Sequence, residues 1–63
     1  MSRRKFKIGQ LVFYLNSDAT SGVFEVTKLL PPEGETFQYH IKNANEPYER
    51  VAEQHELFGA RDF

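Results

Sequence analysis

Short apolar segments alternate along this chain with clusters of turn-forming residues, and this spacing constrains the fold more than any other feature. The apolar segments occupy 8–15, 23–30, 37–42 and 48–52. The clusters between them are rich in Gly, Pro, Asn, Ser and Asp, which favour turns and loops. Apolar segments of this length, bounded by such residues, are typical of β-strands. The sequence therefore predicts an all-β protein.

The clearest strand is 37–42, where apolar and polar side chains alternate with a period of two. Because successive side chains of a strand point to opposite faces, one face of this strand is expected to lie in the core. A later segment, 53–58, contains helix-forming residues and is expected to make a single helical turn, stabilised by burial of Leu57 or Phe58. The residues expected to face the core are Val12, Phe24, Val26, Leu29 or Leu30, Tyr39, Ile41, Val51 and Leu57.

The chain has 63 residues and no cysteine, so neither a disulfide nor a thiolate zinc site stabilises its small core. A small open sheet would leave two unpaired edges and one uncovered apolar face. We therefore expect a closed antiparallel barrel of four to five strands with a short terminal helical turn. An open sheet covered by a C-terminal helix is the alternative. The expected organisation is a basic N-terminal arm (1–7), a single barrel domain (8–58) and a C-terminal tail (59–63).

Several short motifs resemble those of a group of short alphaproteobacterial proteins. The motifs are Gly9-Gln10-x-Val12, Gly22-Val-Phe24-x-Val26-x-Lys28-Leu-Leu-Pro31, Phe37-Gln-Tyr39-x-Ile41-Lys42, Glu46-Pro47-x-Glu49-Arg50-Val51 and Glu53-x-x-Glu56-Leu57. The resemblance implies an SH3-like barrel of the Tudor or KOW kind and a bacterial source, and it implies no activity. His40 and Tyr48 stand where that group commonly has arginine and histidine. Both differences lower the positive charge of a candidate binding face.

The net charge of −1 conceals an uneven distribution. Residues 1–8 contain four basic residues and no acid, a local charge of +4, whereas 9–63 contain four basic and all nine acidic residues, a local charge of −5. A basic terminus on an acidic body indicates either a segment that touches nucleic acid or an ordinary solvated terminus. The basic start does not continue into the apolar stretch of a signal peptide, and no segment is long enough to cross a bilayer. We therefore expect a cytoplasmic protein.

The polar residues do not form the pattern of a catalytic or cofactor-binding site. His40 and His55 lack metal-ligand spacing, and there is no cysteine to complete a zinc site. The hydroxyl groups of Ser17, Thr20 and Ser21 have no histidine close in sequence and are expected to satisfy backbone groups in a turn. We expect no enzyme activity, no cofactor and no metal.

Nine aromatic residues are more than one small barrel is expected to bury. Exposed rings can bind a peptide or a cationic group; alternatively, they cover the open ends of the barrel or form a dimer contact. The candidate partner-binding residues are Phe13, Tyr14 and Tyr48 for an aromatic surface and Asp18, Glu46 and Glu49 for an acidic rim. We therefore predict a binding module for a protein or peptide, monomeric or weakly dimeric.

The alternative function is nucleic-acid binding by the basic arm together with a stacking ring. The candidate phosphate contacts are Arg3, Arg4, Lys5, Lys7, Lys28 and Lys42. An analogy of fold with RNA-binding barrels supports this alternative, although fold is a weak argument for function. The acidic body disfavours it, because acidic residues repel phosphate. Arg50 is expected to form a structural ion pair with the nearby Glu53, which would hold the last strand to the terminal turn, rather than a phosphate contact.

Overall fold

A computed structural model describes residues 3–15 and 22–60 of this chain. The described residues form five antiparallel strands and one 3-10 turn. These elements are β1 (Leu11–Tyr14), β2 (Val23–Leu29), β3 (Gln38–Lys42), β4 (Glu49–Glu53), the 3-10 turn (Gln54–Glu56) and β5 (Leu57–Gly59). All five strands belong to one sheet of order β4-β3-β2-β1-β5. The all-β prediction is therefore confirmed. The alternative, an open sheet covered by a C-terminal helix, is wrong for the part of the chain that the structure describes. No helix in that part is long and apolar enough to cross a membrane.

Turns define where two of the strands begin. The amide of Gln10 donates a hydrogen bond to the carbonyl of Lys7 at 3.1 Å, and Gly9 has a φ of 89°, which suits the third position of a type II turn. This turn delays β1 to Leu11, three residues later than expected. The turn expected before β3 is confirmed: Glu33 and Thr36 form an isolated bridge around Gly34, whose φ is 63°.

Strand β5 lies where the sequence suggested only the end of a helical turn and a tail. It pairs with β1 through Val12 and Gly59, Phe13 and Phe58, and Tyr14 and Leu57. Three residues are too few to show a strand period of their own. This strand therefore forms only because β1 provides it with a hydrogen-bonding partner.

The sheet remains open between β4 and β5, since no ladder joins these two strands within the described residues. The reason is the 3-10 turn that connects them. Its capping box is formed by Glu53 and Glu56, with the Glu53 amide donating to Glu56 Oε1 at 2.8 Å. The Leu15 amide in turn donates to the Glu56 carbonyl at 2.9 Å. The turn thus directs the chain away from β4 and onto β1, so the predicted closure is not observed.

The core lies on one face of the sheet and agrees with the sequence at six positions. Its buried apolar residues are Phe6, Val12, Phe24, Val26, Tyr39, Ile41, Ala52 and Leu57. The prediction of Val51 is wrong, because this side chain is 52% exposed while Ala52 is 1% exposed. In the ladder Ala52 pairs with Tyr39 and Val51 with His40, and directly paired residues share a face.

Neither Leu29 nor Leu30 enters the core. Leu29 is exposed and Leu30 is half-buried. The ladder between β2 and β3 shifts register between Val26 and Lys28. Such an irregularity bends the strand and changes which side chains point inward. The alternation that the sequence predicts for β2 therefore ends at Val26.

The N-terminal segment packs on the sheet, although the sequence assigns 1–7 to an arm. Phe6 is 6% exposed and contacts the ring of Tyr39 edge-on, with 5.6 Å between ring centroids. The Arg4 guanidinium lies 4.9 Å from the ring centroid of Phe37. The Lys5 amide donates to Gln54 Oε1 at 2.9 Å. Residues 3–7 therefore belong to the folded unit, and Phe6 is part of its core.

Candidate functional site

The predicted binding residues at the β3–β4 turn are already paired with one another. Arg50 donates to both carboxylate oxygens of Glu46, from Nε at 3.0 Å and from Nη2 at 2.6 Å, and its guanidinium lies 5.4 Å from the ring centroid of Tyr48. The hydrogen bond from Arg50 lowers the pKa of Glu46, and the same bond raises the pKa of Arg50 further above its ordinary value. Arg50 thus occupies the position in which an aromatic–acidic site would bind a cationic ligand.

Arg50 does not pair with Glu53, so that prediction is wrong. Residues three apart on a strand point to opposite faces, whereas Glu46 approaches Arg50 from the preceding turn. The ion pair that Arg50 does form is with Glu46, so it closes the β3–β4 turn and does not join the last strand to the terminal turn.

Glu49 lies on the other face of β4, in contact with His40. The two side chains approach to 2.6 Å between Nδ1 and Oε1. The hydrogen bond with His40 lowers the pKa of Glu49. Glu46 and Glu49 therefore do not line one rim, and Asp18 lies outside the described residues. His55 is exposed and 3.5 Å from Glu53, and the described residues contain no group of three or more side chains suited to a metal.

The two neighbouring aromatic residues of β1 point to opposite faces, as the alternation predicts. Tyr14 packs edge-on against Phe24 at the border of the core, with 5.7 Å between ring centroids. Burial, assisted by the nearby Glu56 carboxylate, raises the pKa of the Tyr14 hydroxyl. Phe13 points to the outer face, the face of the sheet opposite the core. Phe13 therefore lies on a different face from Tyr14, whereas Tyr14 and Tyr48 both lie near Arg50.

An apolar row crosses the outer face instead. Phe13 pairs with Val23 of β2 on one side and with Phe58 of β5 on the other, so the three side chains lie next to one another on one face. Leu11 lies two residues along β1 on the same face. We call these four residues, Leu11, Phe13, Val23 and Phe58, the outer row. Leu11, Val23 and Phe58 are 42–51% exposed.

Of the outer row, the sequence predicts only Phe13 as a binding residue. Its other members stand near strand ends, and the pairing of distant strands brings them together. Asn43 helps to position one of them: its buried side chain donates from Nδ2 to the carbonyl of Val23 at 3.2 Å. The sequence pattern contains no signal for this contact, because the two residues are twenty positions apart.

Leu11 lines two depressions in the surface. The smaller has a volume of about 200 Å³ and is lined by Leu11, Val23, Phe24, Glu25, Thr27, Lys42 and Ala44. The larger is a wide depression of about 720 Å³ lined by Lys7, Ile8, Gly9, Gln10, Leu11 and Ala60. The exposed Ile8 extends the apolar surface of the outer row into this second depression.

Two of the six candidate phosphate contacts make hydrogen bonds within the protein. Arg4 donates to the carbonyls of Leu30 and Gln38 and stacks on Phe37. Lys42 donates from Nζ to the carbonyl of Glu46 at 2.8 Å. Both side chains therefore have structural roles. The exposed residues of the set are Arg3, Lys5, Lys7 and Lys28.

No protein-family model, curated protein or solved structure matches this chain.

Proposed function

We propose that this chain is a non-catalytic binding module that takes an apolar segment of a protein partner on its outer row. The observation on which the proposal depends is the adjacency of Phe58, Phe13 and Val23 in the ladder, with Leu11 beside them. Single exposed apolar residues are normal on protein surfaces, whereas contiguous apolar patches indicate interaction sites. Val51 illustrates the first case, because its neighbours on the outer face are polar.

The outer row can contribute to the free energy of binding through burial of its apolar side chains. Covering a fully exposed side chain such as Phe or Leu contributes about 1.5–3 kcal/mol. Roughly half of that contribution remains available at a half-exposed side chain. Two phenylalanines, a leucine and a valine in one patch thus resemble the apolar core of a protein interface, which is depleted of charged residues and contains aromatic rings.

We further propose that the sheet is an SH3-like barrel, as the sequence resemblance implies. The sheet order supports this description: β1 to β4 form a meander, and β5 returns after a 3-10 turn to pair with β1. A small barrel of this kind has one face covered by its own core. The outer row lies on the opposite face.

Nucleic-acid binding is the weaker candidate. Two of its six candidate residues, Arg4 and Lys42, donate hydrogen bonds to backbone carbonyls. Phosphate contacts dominate the affinity of proteins for nucleic acids, so the loss of two contacts from a set of six removes much of its basis. The net charge of −1 provides no general attraction for phosphates.

Peptides selected from a phage-displayed random library test the proposed function. We expect selected peptides to shift the backbone amide resonances of Phe13, Val23 and Phe58. The substitution Phe58→Ser should weaken binding about tenfold or more. The matched control is Val51→Ser, which removes a comparably exposed apolar side chain from the outer face of β4 and should leave affinity unchanged.

Several results would contradict the proposal. One is a set of peptide-induced shifts centred on Tyr48 rather than on the outer row. Another is a homodimer, detected by sedimentation, that Phe58→Ser dissociates, since the outer row would then be covered by a second copy. A third is binding to single-stranded RNA that weakens steeply as salt concentration rises, with no peptide selected.

A further inference from the structure

We infer that the partner segment carries a basic side chain, lysine or arginine, which enters the small depression beside Leu11 and pairs with Glu25. This inference rests on the proposed function, because it names the chemistry of the partner at the same surface. It concerns the depression of about 200 Å³ at the β2 end of the outer row. We call this depression the Glu25 pocket.

The sheet places Glu25 between an apolar and a basic neighbour. Glu25 pairs with Leu11 of β1 and with Lys42 of β3, and all three residues line the Glu25 pocket. Directly opposed residues of opposite charge ordinarily form a cross-strand ion pair. Lys42 is therefore the expected partner of the Glu25 carboxylate.

Lys42 does not make that ion pair. Its ammonium group is directed to the β3–β4 turn, where it donates to the carbonyl oxygens of Glu46 at 2.8 Å and of Asn43 at 3.4 Å. Among the described residues, Glu25 has neither a salt bridge within 4.0 Å nor a side-chain hydrogen bond. An exposed carboxylate thus stands unpaired beside the apolar outer row.

The Glu25 pocket has the size and lining for one long basic side chain. Pockets for drug-sized ligands have volumes of about 300–1,000 Å³, so a cavity of about 200 Å³ suits a single side chain better. Lysine and arginine place their aliphatic stems on apolar surface and keep their charged ends at its border. Leu11, Val23 and Ala44 offer such a surface, and Glu25 offers the opposite charge at the border.

Two small probes test this inference without any knowledge of the partner. The probes are n-butylguanidinium, which imitates an arginine side chain, and n-butylurea, its neutral isostere. Binding is followed through the amide resonances of Leu11, Val23 and Glu25. We expect n-butylguanidinium to bind about threefold to fivefold more tightly than n-butylurea, the ratio typical of one exposed ion pair.

The matched variants are Glu25→Gln and Glu35→Gln. Both remove one negative charge from an exposed side chain, but only the first lies in the Glu25 pocket. Glu25→Gln should abolish the preference for n-butylguanidinium, and Glu35→Gln should preserve it. Equal losses in the two variants, or an unchanged preference in Glu25→Gln, would overturn the inference.

The inference and the proposed function can fail separately. Peptides that bind the outer row with equal affinity in wild type and Glu25→Gln would overturn the inference and support the proposed function. If n-butylguanidinium shows the expected preference but Phe58→Ser leaves peptide affinity unchanged, the Glu25 pocket is supported and the outer row is contradicted.

Discussion

The hydroxyl group of Tyr39 donates a hydrogen bond to Oε1 of Gln54 at 2.5 Å. The same oxygen accepts a hydrogen bond from the backbone amide of Lys5 at 2.9 Å, and Nε2 of Gln54 donates one to the carbonyl of Arg3 at 3.2 Å. The backbone amide of Gln54 also donates a hydrogen bond to the carbonyl of Phe37 at 2.9 Å. One glutamine therefore joins the 3-10 turn, β3 and the N-terminal segment at the gap that the open sheet leaves.

Substitution of Gln54 should destabilise the protein more than substitution of Tyr39. Gln54→Ala removes the acceptor of a buried hydroxyl, and an unsatisfied buried polar group costs about 1–3 kcal/mol. Tyr39→Phe removes one hydrogen bond and leaves Gln54 bound to the N-terminal segment, at a cost of about 1 kcal/mol. Urea denaturation measures both free energies of unfolding. The control Gln38→Ala should change stability by less than about 0.5 kcal/mol; equal effects of all three variants would contradict this assignment.

Phe6 should be essential for stability although the sequence places it in a basic arm. Phe6→Ala removes a buried ring that contacts Tyr39, and truncations of buried phenylalanine cost about 3–5 kcal/mol. Because a protein of this size can unfold at such a cost, Phe6→Leu provides a milder variant. The control is Lys5→Ala, a substitution at the exposed position directly before Phe6. A melting temperature unaffected by Phe6→Leu would show that the segment does not belong to the folded unit.

The Glu46–Arg50 ion pair should make stability depend on pH in the acid range. The pKa of Glu46 lies below its ordinary value of 4.5 because Arg50 donates to its carboxylate. A lowered pKa in the folded state means that the stabilisation is complete above about pH 4.5 and is lost as the pH falls through the folded-state pKa. Glu46→Gln should therefore flatten the loss of stability on acidification, measured by urea denaturation between pH 2 and pH 6, a range that brackets the titration of carboxylates.

Arg50→Gln provides the control for this pH dependence. Without the guanidinium, the pKa of Glu46 should return toward its ordinary value, so Glu46→Gln should have little further effect in that background. Glu49 contributes a separate loss in the same range, since its hydrogen bond with His40 lowers its pKa as well. An unchanged acid slope in Glu46→Gln would contradict a stabilising role for the ion pair.

Substitution of Gly9 should destabilise the protein because of its backbone conformation alone. A Cβ at this position would meet no atom within 4 Å, yet the φ of 89° is strained for residues with a side chain. Gly9→Ala should cost about 1–2 kcal/mol. Gly9→Asn should cost less, because asparagine tolerates positive φ better than alanine. Equal free energies of unfolding for the two variants would rule out this explanation.

Strand existence and much of the core could be predicted because they depend on local alternation. Tyr39 and Ile41 are buried as their period predicts, and the turn at Gly34 follows from residues adjacent in the chain. The candidate site could be predicted only in part. The position of Phe13 next to the inward-facing Val12 predicts that Phe13 lies on the surface. No local pattern predicts that Arg50 pairs with Glu46 and packs on the ring of Tyr48.

The sequence by itself determined that this protein is built from short strands, since a period of two and turn residues act within a few positions of one another. The tertiary structure alone decided which residues meet across the sheet. It placed Ala52 rather than Val51 opposite Tyr39, and it aligned Phe58 with Phe13. The physical reason is that a ladder is set by hydrogen bonds and packing between distant segments, so the surface that those segments form has no counterpart in any local pattern.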